Sequence, residues 1–311
     1  MNECFLAFDT SCYTTSAAVV SDGRVLFDKR IMLNVEKGGR GLRQSEAVFQ
    51  HIRNLKSILS DFPRQEYDIE GVAYSEKPRP RDDSYMPVFC VGEAAAFSFA
   101  AALGVKPLPL THQHGHIYSA FFDNMPMDGA YCALHVSGGT LDLLRVDISE
   151  NIITGITRIG GSLDITCGQL IDRIGVAAGL GFPAGEEMEK LYNKNGAAFT
   201  TNIKSLNVNL SGAEAQAMRL LQSVADISHV CSGIIDCAAE TLIKLTDNAA
   251  AETNIKKFIF TGGVICNRII REKIKGRCDK KGYECILANK QYSGDNACGL
   301  ALVAQLLTGS P

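Results

Sequence analysis

The chain has 11 cysteines but no C-x-x-C pair. Many of them sit inside apolar runs such as residues 87–91, so they read as small buried hydrophobes in a reducing cytosol rather than as a disulfide framework. No apolar stretch approaches the roughly 18–20 residues that a membrane-spanning helix needs. The N-terminus reaches Asp9 after a short apolar run, with no basic leader and no small-residue cleavage site, so secretion is not expected and the cytoplasm is. Charge of one sign is also scarce: 31 basic against 34 acidic residues leave a net charge of -3, and any nucleic-acid partner must be met by a local surface or through another protein. There is no H-E-x-x-H helix with a glutamate base and no serine in a nucleophile elbow, which removes the residue chemistry of a peptidase. No low-complexity linker is seen.

What is present is ordinary globular material, 46% hydrophobic and 21% charged, in a chain of 311 residues long enough for two lobes. Residues 4–8, 15–20 and 25–33 are β-prone runs separated by turn signals and predict a three-strand meander. Helical spacing follows over 43–59, and a strand begins at 71–74. The order recurs in the second half, with strands over 131–136, 141–146 and 152–159, helical segments, a strand over 257–260, a helix from about 267 and a last helix over 297–307. Two meander-plus-helix halves predict duplicated α/β lobes around a central cleft. Residues 77–84, with prolines and both charge signs, predict an exposed loop that resists helix formation.

Chemistry is most visible in Thr111-His112-Gln113-His114-Gly115-His116. At i, i+4 spacing His112 and His116 project from one helical face and can share a metal ion, while His114 points elsewhere. The alternative is an ordinary helix start. Ser137-Gly138-Gly139 and Gly262-Gly263 each follow a strand, where missing side chains let backbone amides approach phosphate, or where the chain simply turns. Asn267 fits a contact to base or ribose and equally an N-cap. Asp172 either pairs with Arg173 in solvent or accepts hydrogen bonds from ribose hydroxyls. Asp295, just before the last helix, reads as an N-cap, or as the carboxylate that completes a His, His, Asp metal set if the two lobes meet there.

In this order the motifs resemble those of the TsaD family of tRNA N6-adenosine threonylcarbamoyltransferases, over nearly the whole chain. Asp9-Thr10-Ser11-Cys12 matches the family's E-T-S-C, His112 to His116 its H-x-E-G-H, and Ser137-Gly138-Gly139 its S-G-G. Asp172 and residues 183–185 fall at F-D-K and P-G-G, Ser211-Gly212 at F-S-G, Gly262-Gly263-Val264 with Asn267-Arg268 at G-G-V-x-x-N-R, and Asp295-Asn296 at the final D-N. The resemblance implies a two-lobed ASKHA (actin/Hsp70-like ATPase) α/β fold, with residues 1–125 as an N-terminal lobe completed by the helix 295–311, and 126–294 as the C-terminal lobe. It implies one divalent metal, iron or zinc, on His112, His116 and Asp295. An adenine nucleotide, ATP or an acyl-adenylate with or without magnesium, is implied at His135, Val136, Ser137, Gly138, Gly139, Asp172, Gly185, Gly262, Gly263 and Asn267. The implied reaction passes a threonylcarbamoyl group from threonylcarbamoyl-AMP to the adenosine N6 beside the tRNA anticodon, with TsaB-like and TsaE-like partners or self-association as a dimer, and away from any membrane.

The chain is a diverged member by the same comparison. Tyr13 and Thr14 replace two family acids, Ile165 the second acid of a pair begun by Asp164, and Gln169 a glutamate. His114 stands at the glutamate of the metal motif and Thr140 where histidine follows S-G-G. The family's glycine-proline loop has become residues 76–87, where Arg79 and Arg81 form either a solvated basic loop or a clamp for an anionic substrate. Two other functions therefore stand beside the first: carbamoyl-adenylate-dependent carbamoyl transfer to another acceptor, and a non-catalytic nucleotide-binding scaffold.

Overall fold

The structure, a computed structural model, describes residues 3–11, 13–35, 42–81, 83–223 and 226–308. Cys12 of the first motif and Asp82 of the proline-rich loop lie outside the described residues. The chain divides into two compact units, one from residues 1–126 with 295–311 and the other from 127–294.

The first unit begins with β1 (Glu3–Ser11), β2 (Thr14–Ser21) and β3 (Arg24–Met32), continues through α1 (Gln44–Ser60), β4 (Asp68–Lys77) and α2 (Phe89–Leu103), and reaches β5 (Pro107–Thr111) and α3 (His112–Tyr118). Its sheet runs β3-β2-β1-β4-β5, antiparallel through the meander and parallel from β1 to β5. β2 is buried along its whole length and β1 from Cys4 onward, as expected of central strands covered on both faces. β3 is one of the two edges, and Asp28, Lys29 and Arg30 charge it against pairing with another chain. α1 turns Ala47, His51, Leu55 and Ile58 inward, a helical stripe in which the histidine is the exception.

The second unit holds β6 (Gly129–Val136), β7 (Leu141–Ser149), β8 (Ile152–Ser162), α4 (Cys167–Ala177), α5 (Gly185–Lys190), β9 (Asn202–Lys204), β10 (Asn207–Asn209), α6 (Ser211–Leu221), α7 (Ile227–Thr253), β11 (Lys257–Thr261), α8 (Arg268–Lys281), β12 (Glu284–Leu287) and α9 (Lys290–Ser293). Its sheet order is β12-β11-β6-β7-β8-β10-β9. The five strands β8-β7-β6-β11-β12 repeat the plan β3-β2-β1-β4-β5, an antiparallel meander extended by two parallel strands. The duplicated architecture is thus a property of hydrogen-bond topology, although the two halves share little sequence. α7 runs 27 residues and buries positions such as Val230, Ile234, Ala238, Leu242 and Leu245 against the core. It starts where the Asp226 side chain accepts from Ser228 N and stops where Asn254 takes a left-handed conformation, φ 58°. The chain then returns to the first unit as α10 (Cys298–Thr308).

All ten described cysteines are free. Seven are buried, but Cys90, inside the apolar run 87–91, is exposed, because it occupies the outer face of the first turn of α2. That one departs from the expectation of burial.

Candidate metal centre and nucleotide-side residues

α3 is short and depends on its cap. Thr111 Oγ1 accepts from the His114 backbone N–H at 3.3 Å, and His114 Nδ1 accepts from the Thr111 N–H at 3.3 Å. This reciprocal pair is a capping box in which an imidazole takes the place usually held by glutamate or glutamine. The departure at His114 is therefore a substitution within the cap. Burial pushes the His114 ring down to about 4, which keeps it neutral and able to accept.

The cap sets His112 and His116 on one face, with Nε2 atoms 3.0 Å apart. Asp295 Oδ1 lies 3.3 Å from His116 Nε2 and 3.7 Å from His112 Nε2. All three residues belong to the first unit, so the set closes inside that unit. Close approach of two helices makes this possible. Gly299, in the first turn of α10, lies against Gly115 of α3, and a Cβ there would come within 1.9 Å of the Gly115 carbonyl oxygen. At the start of α10, Asn296 Oδ1 accepts from Cys298 N at 2.8 Å. The Asp295 carboxylate is turned back, and Ser11 Oγ donates to its Oδ2 at 3.3 Å.

Behind the pair, His112 Nδ1 donates to Asp9 Oδ2 at 2.8 Å, and Ser75 Oγ donates to Asp9 Oδ1 at 2.5 Å. Asp9 and Ser75 are fully buried. Burial opposes charge on His112, yet Asp9 and then Asp295 outweigh it and hold its imidazolium up to about 9. Burial and the neighbouring His112 charge push His116 the other way. Two carboxylates thus surround a ring pair that tolerates one proton's worth of charge, the electrostatic condition a divalent ion would satisfy.

The donor set fits a metal by geometry as well. With metal–nitrogen and metal–oxygen distances of about 2.0–2.2 Å, the edges of a tetrahedral or octahedral face are roughly 3–3.5 Å. The three donor separations cluster around that length. Two imidazoles and one carboxylate also leave coordination positions open.

The proline-rich loop closes on the same helix. Lys77 sits opposite Thr111 in the β4–β5 register, and Gln113 N donates to Pro78 O at 3.1 Å. Arg79 is half-buried, and its charge acts on His112. Arg81 is exposed and occupied by Asp83.

The residues expected at a nucleotide all lie in the second unit. His135 is buried on β6, opposite Asp142 on one side and Thr261 on the other. Val136 ends that strand, and the turn at Ser137, Gly138 and Gly139 closes with Ser137 N donating to Thr140 O at 2.8 Å. Thr166 Oγ1 reaches Gly138 O at 2.8 Å, which ties the turn to the start of α4. Gly262 is held at φ +101°, and a Cβ there would meet the Val136 oxygen at 2.3 Å, so only glycine fits. A Cβ added at Gly138, Gly139 or Gly263 would meet nothing within 4 Å.

Two of these residues also make local structural bonds. Asn267 Oδ1 accepts from Ile269 N at 3.0 Å and Ile270 N at 3.1 Å, so it caps α8. Asp172 does not pair with Arg173, whose guanidinium goes to Glu214; Asp172 Oδ1 accepts from Ala184 N at 2.8 Å and fixes the segment before Gly185. Burial raises the Asp172 carboxyl above its ordinary value. Beyond Gly185, a cavity of about 460 Å³ is lined by Glu186, Glu189, Tyr192, Cys266, Arg268 and Lys290.

The other departures have local explanations. Ile165 is buried in the core, and Gln169 forms a second capping box with Thr166, a role glutamate and glutamine share. Asp164 accepts from Ile165 N, Leu210 N and Ser211 N; burial opposes its charge, but these bonds draw its carboxyl down to about 2 and cap α6. Thr15, beside the lost acids, anchors His51 Nδ1 at 2.8 Å and Asn54 at 3.3 Å. Sequence reasoning did not single out Asp9 as a site residue, nor Ser75 at all. An acid inside an otherwise apolar strand was the available signal for Asp9, and Ser75 had none.

The fold compares with known structures. HypF in its phosphate- and nucleotide-bound form superposes with a TM-score of 0.62 at 12% identity, covering 98% of this chain and 47% of that one. The activator of 2-hydroxyisocaproyl-CoA dehydratase from Clostridium difficile, with bound ADPNP, gives 0.56 at 13% identity, covering 98% and 94%. These likenesses establish the two-lobed actin/Hsp70-like fold. In sequence, the tRNA N6-adenosine threonylcarbamoyltransferase of Fusobacterium nucleatum is 25% identical over 96% of this chain and 89% of its own length. The family model for TsaD, tRNA N6-adenosine threonylcarbamoyltransferase, matches residues 41–302, and the chain belongs to that family.

Proposed function

We propose that this protein transfers a threonylcarbamoyl group from threonylcarbamoyl-AMP to the N6 amine of the tRNA adenosine next to the anticodon, using one divalent metal, iron or zinc, held by His112, His116 and Asp295. The observation that carries this reading is the convergence of those three donor atoms, within 4.8 Å of one another, in a chain of the TsaD family. When bound, the ion would act as a Lewis acid toward the acyl carbonyl and as a template for the mixed anhydride. With the proton between their Nε2 atoms displaced, His112 and His116 would offer Nε2 lone pairs to the ion, and Ser11 steadies Asp295 so that Oδ1 faces them. The open glycines of the Ser137 and Gly262 turns leave backbone amides for the phosphate of an adenine nucleotide, with His135 and Val136 supporting the strand beneath. Asp172 Oδ1 and Asn267 Oδ1 fix the loops at Gly185 and Gly263.

The net charge of -3 makes tRNA capture by this chain alone weak, so TsaB-like and TsaE-like proteins are the partners proposed, in the cytoplasm. No helix among the described residues is long and apolar enough to cross a membrane. The deciding experiment mixes metal-loaded protein with those partners, threonine, bicarbonate, ATP and unmodified tRNA, and includes a threonylcarbamoyl-adenylate synthase. Modified adenosine should appear, and the His116→Ala variant should reduce it at least 100-fold. No modification by the metal-loaded protein would remove the tRNA assignment.

The half-buried Arg79 beside His112 favours a second reading, in which an anionic acceptor replaces the tRNA amine and a plain carbamoyl group is transferred. Carbamoyl-adenylate supplied in place of the threonylcarbamoyl donor separates the two.

A further inference from the structure

The buried polar group that the reaction above leaves without a task is Asp9. It is fully buried in the middle strand of the first unit, and both of its oxygens are engaged: Oδ2 receives His112 Nδ1 at 2.8 Å and Oδ1 receives Ser75 Oγ at 2.5 Å. Burying a carboxylate is costly unless hydrogen bonds compensate it, and the partners here come from one strand and one helix, β4 and α3. Its backbone is pinned as well, with Ser16 Oγ donating to the Asp9 carbonyl at 3.3 Å. Neither oxygen lies in the His112, His116, Asp295 set, and an acid behind a ring can act on an ion only through that ring.

We infer that Asp9 is a positioning residue for the metal, and that Ser75 sets its direction. The Asp9 carboxylate holds the proton of the His112 imidazole on Nδ1, so that the Nε2 lone pair faces His116 and Asp295 with its plane fixed. Ser75 occupies the far oxygen and prevents the carboxylate from rotating away. The inference rests on the metal reading of the site. It extends that reading to two residues at positions 9 and 75, the first of them 103 residues from His112.

The direction of the Ser75 bond makes the inference testable against a merely structural role. In Asp9→Asn, where the Ser75 hydroxyl goes on donating, the amide oxygen stays with it and the NH₂ group faces His112 Nδ1. That amide donates, the ring proton is driven to Nε2, and the lone pair that should face the ion is lost. Asn is nearly isosteric with Asp, whereas Asp9→Ala leaves a hole but imposes no tautomer. A positioning role therefore predicts that Asp9→Asn is at least as damaging to metal affinity as Asp9→Ala. A packing role predicts the reverse.

The experiment titrates Zn(II) into the metal-stripped full-length protein in competition with a chromophoric chelator, with the melting temperature of each metal-free variant recorded alongside. Asp9→Ala should weaken binding about 10–100-fold, the range usual for such outer partners. Asp9→Asn should weaken it as much or more while melting closer to wild type. Adding Ser75→Ala to Asp9→Asn should recover part of the loss, because the amide can then turn its oxygen to the ring. Affinity unchanged in both Asp9 variants, or Asp9→Asn closer to wild type than Asp9→Ala, would overturn the inference and leave the metal site standing. Absence of zinc binding by the wild type would overturn both.

Discussion

His51 illustrates how much one buried ring can reveal. It faces inward from α1, fully buried, with Nδ1 on Thr15 Oγ1, and burial pushes its pKa down to about 4 against the raising influence of Asp9 and the Ser11 backbone. The unfolded chain, with an ordinary value near 6.5, binds the proton more readily than the folded chain between those two values. Stability contributed by the neutral ring is therefore complete above about pH 6.5 and lost as pH falls toward 4. For this residue alone the loss between pH 7 and pH 5 is on the order of 2 kcal/mol. Urea unfolding at the two pH values should show that difference shrink in His51→Gln. Equal slopes for wild type and variant would contradict the assignment. His114, also held near 4, shifts in the same direction and adds to the wild-type acid sensitivity.

At the scale of elements, the critical contact is α10 against α3. The carboxylate of Asp295 reaches the paired rings because Gly299 lets the last helix start directly on Gly115. Gly299→Ala would put a methyl group inside the Gly115 carbonyl, and forcing such a contact costs about 1–3 kcal/mol or more. A lowered melting temperature together with weakened metal binding is expected, since the helix must back away and carry Asp295 with it. A variant of unchanged stability and affinity would show that this contact does not place the acid. The elements legible in the sequence were those with a local signature. The two meanders, the helix over 43–59, the glycine turns and the i, i+4 histidines could all be read directly. β9 and β10, three residues each, and the 27-residue α7 were not resolved individually, and for the two strands the reason is that three residues carry little periodic signal. Asp172 and Arg173 look like neighbours that should pair, yet each is claimed by a partner distant in sequence, Ala184 N and Glu214. The link from Asp9 to His112 could not be read for the same reason: 103 residues separate the two.

Over the whole molecule, a five-stranded sheet and a seven-stranded sheet share a five-strand plan. The first unit carries the His, His, Asp donors with their buried support, and the second carries the glycine turns and the loops that Asp172 and Asn267 fix. The departures from the family pattern are absorbed mostly by structure: a capping box at His114, another at Gln169 and core packing at Ile165. The loop bearing Arg79 is the exception, since it places charge beside the donors. What stands or falls first is the ion. Metal-stripped protein titrated calorimetrically with Fe(II) or Zn(II) should take up one equivalent, and His112→Ala, His116→Ala and Asp295→Ala should each abolish or greatly weaken that binding. Absence of saturable binding in the wild type, or full stoichiometric binding in the His116→Ala variant, would contradict the account.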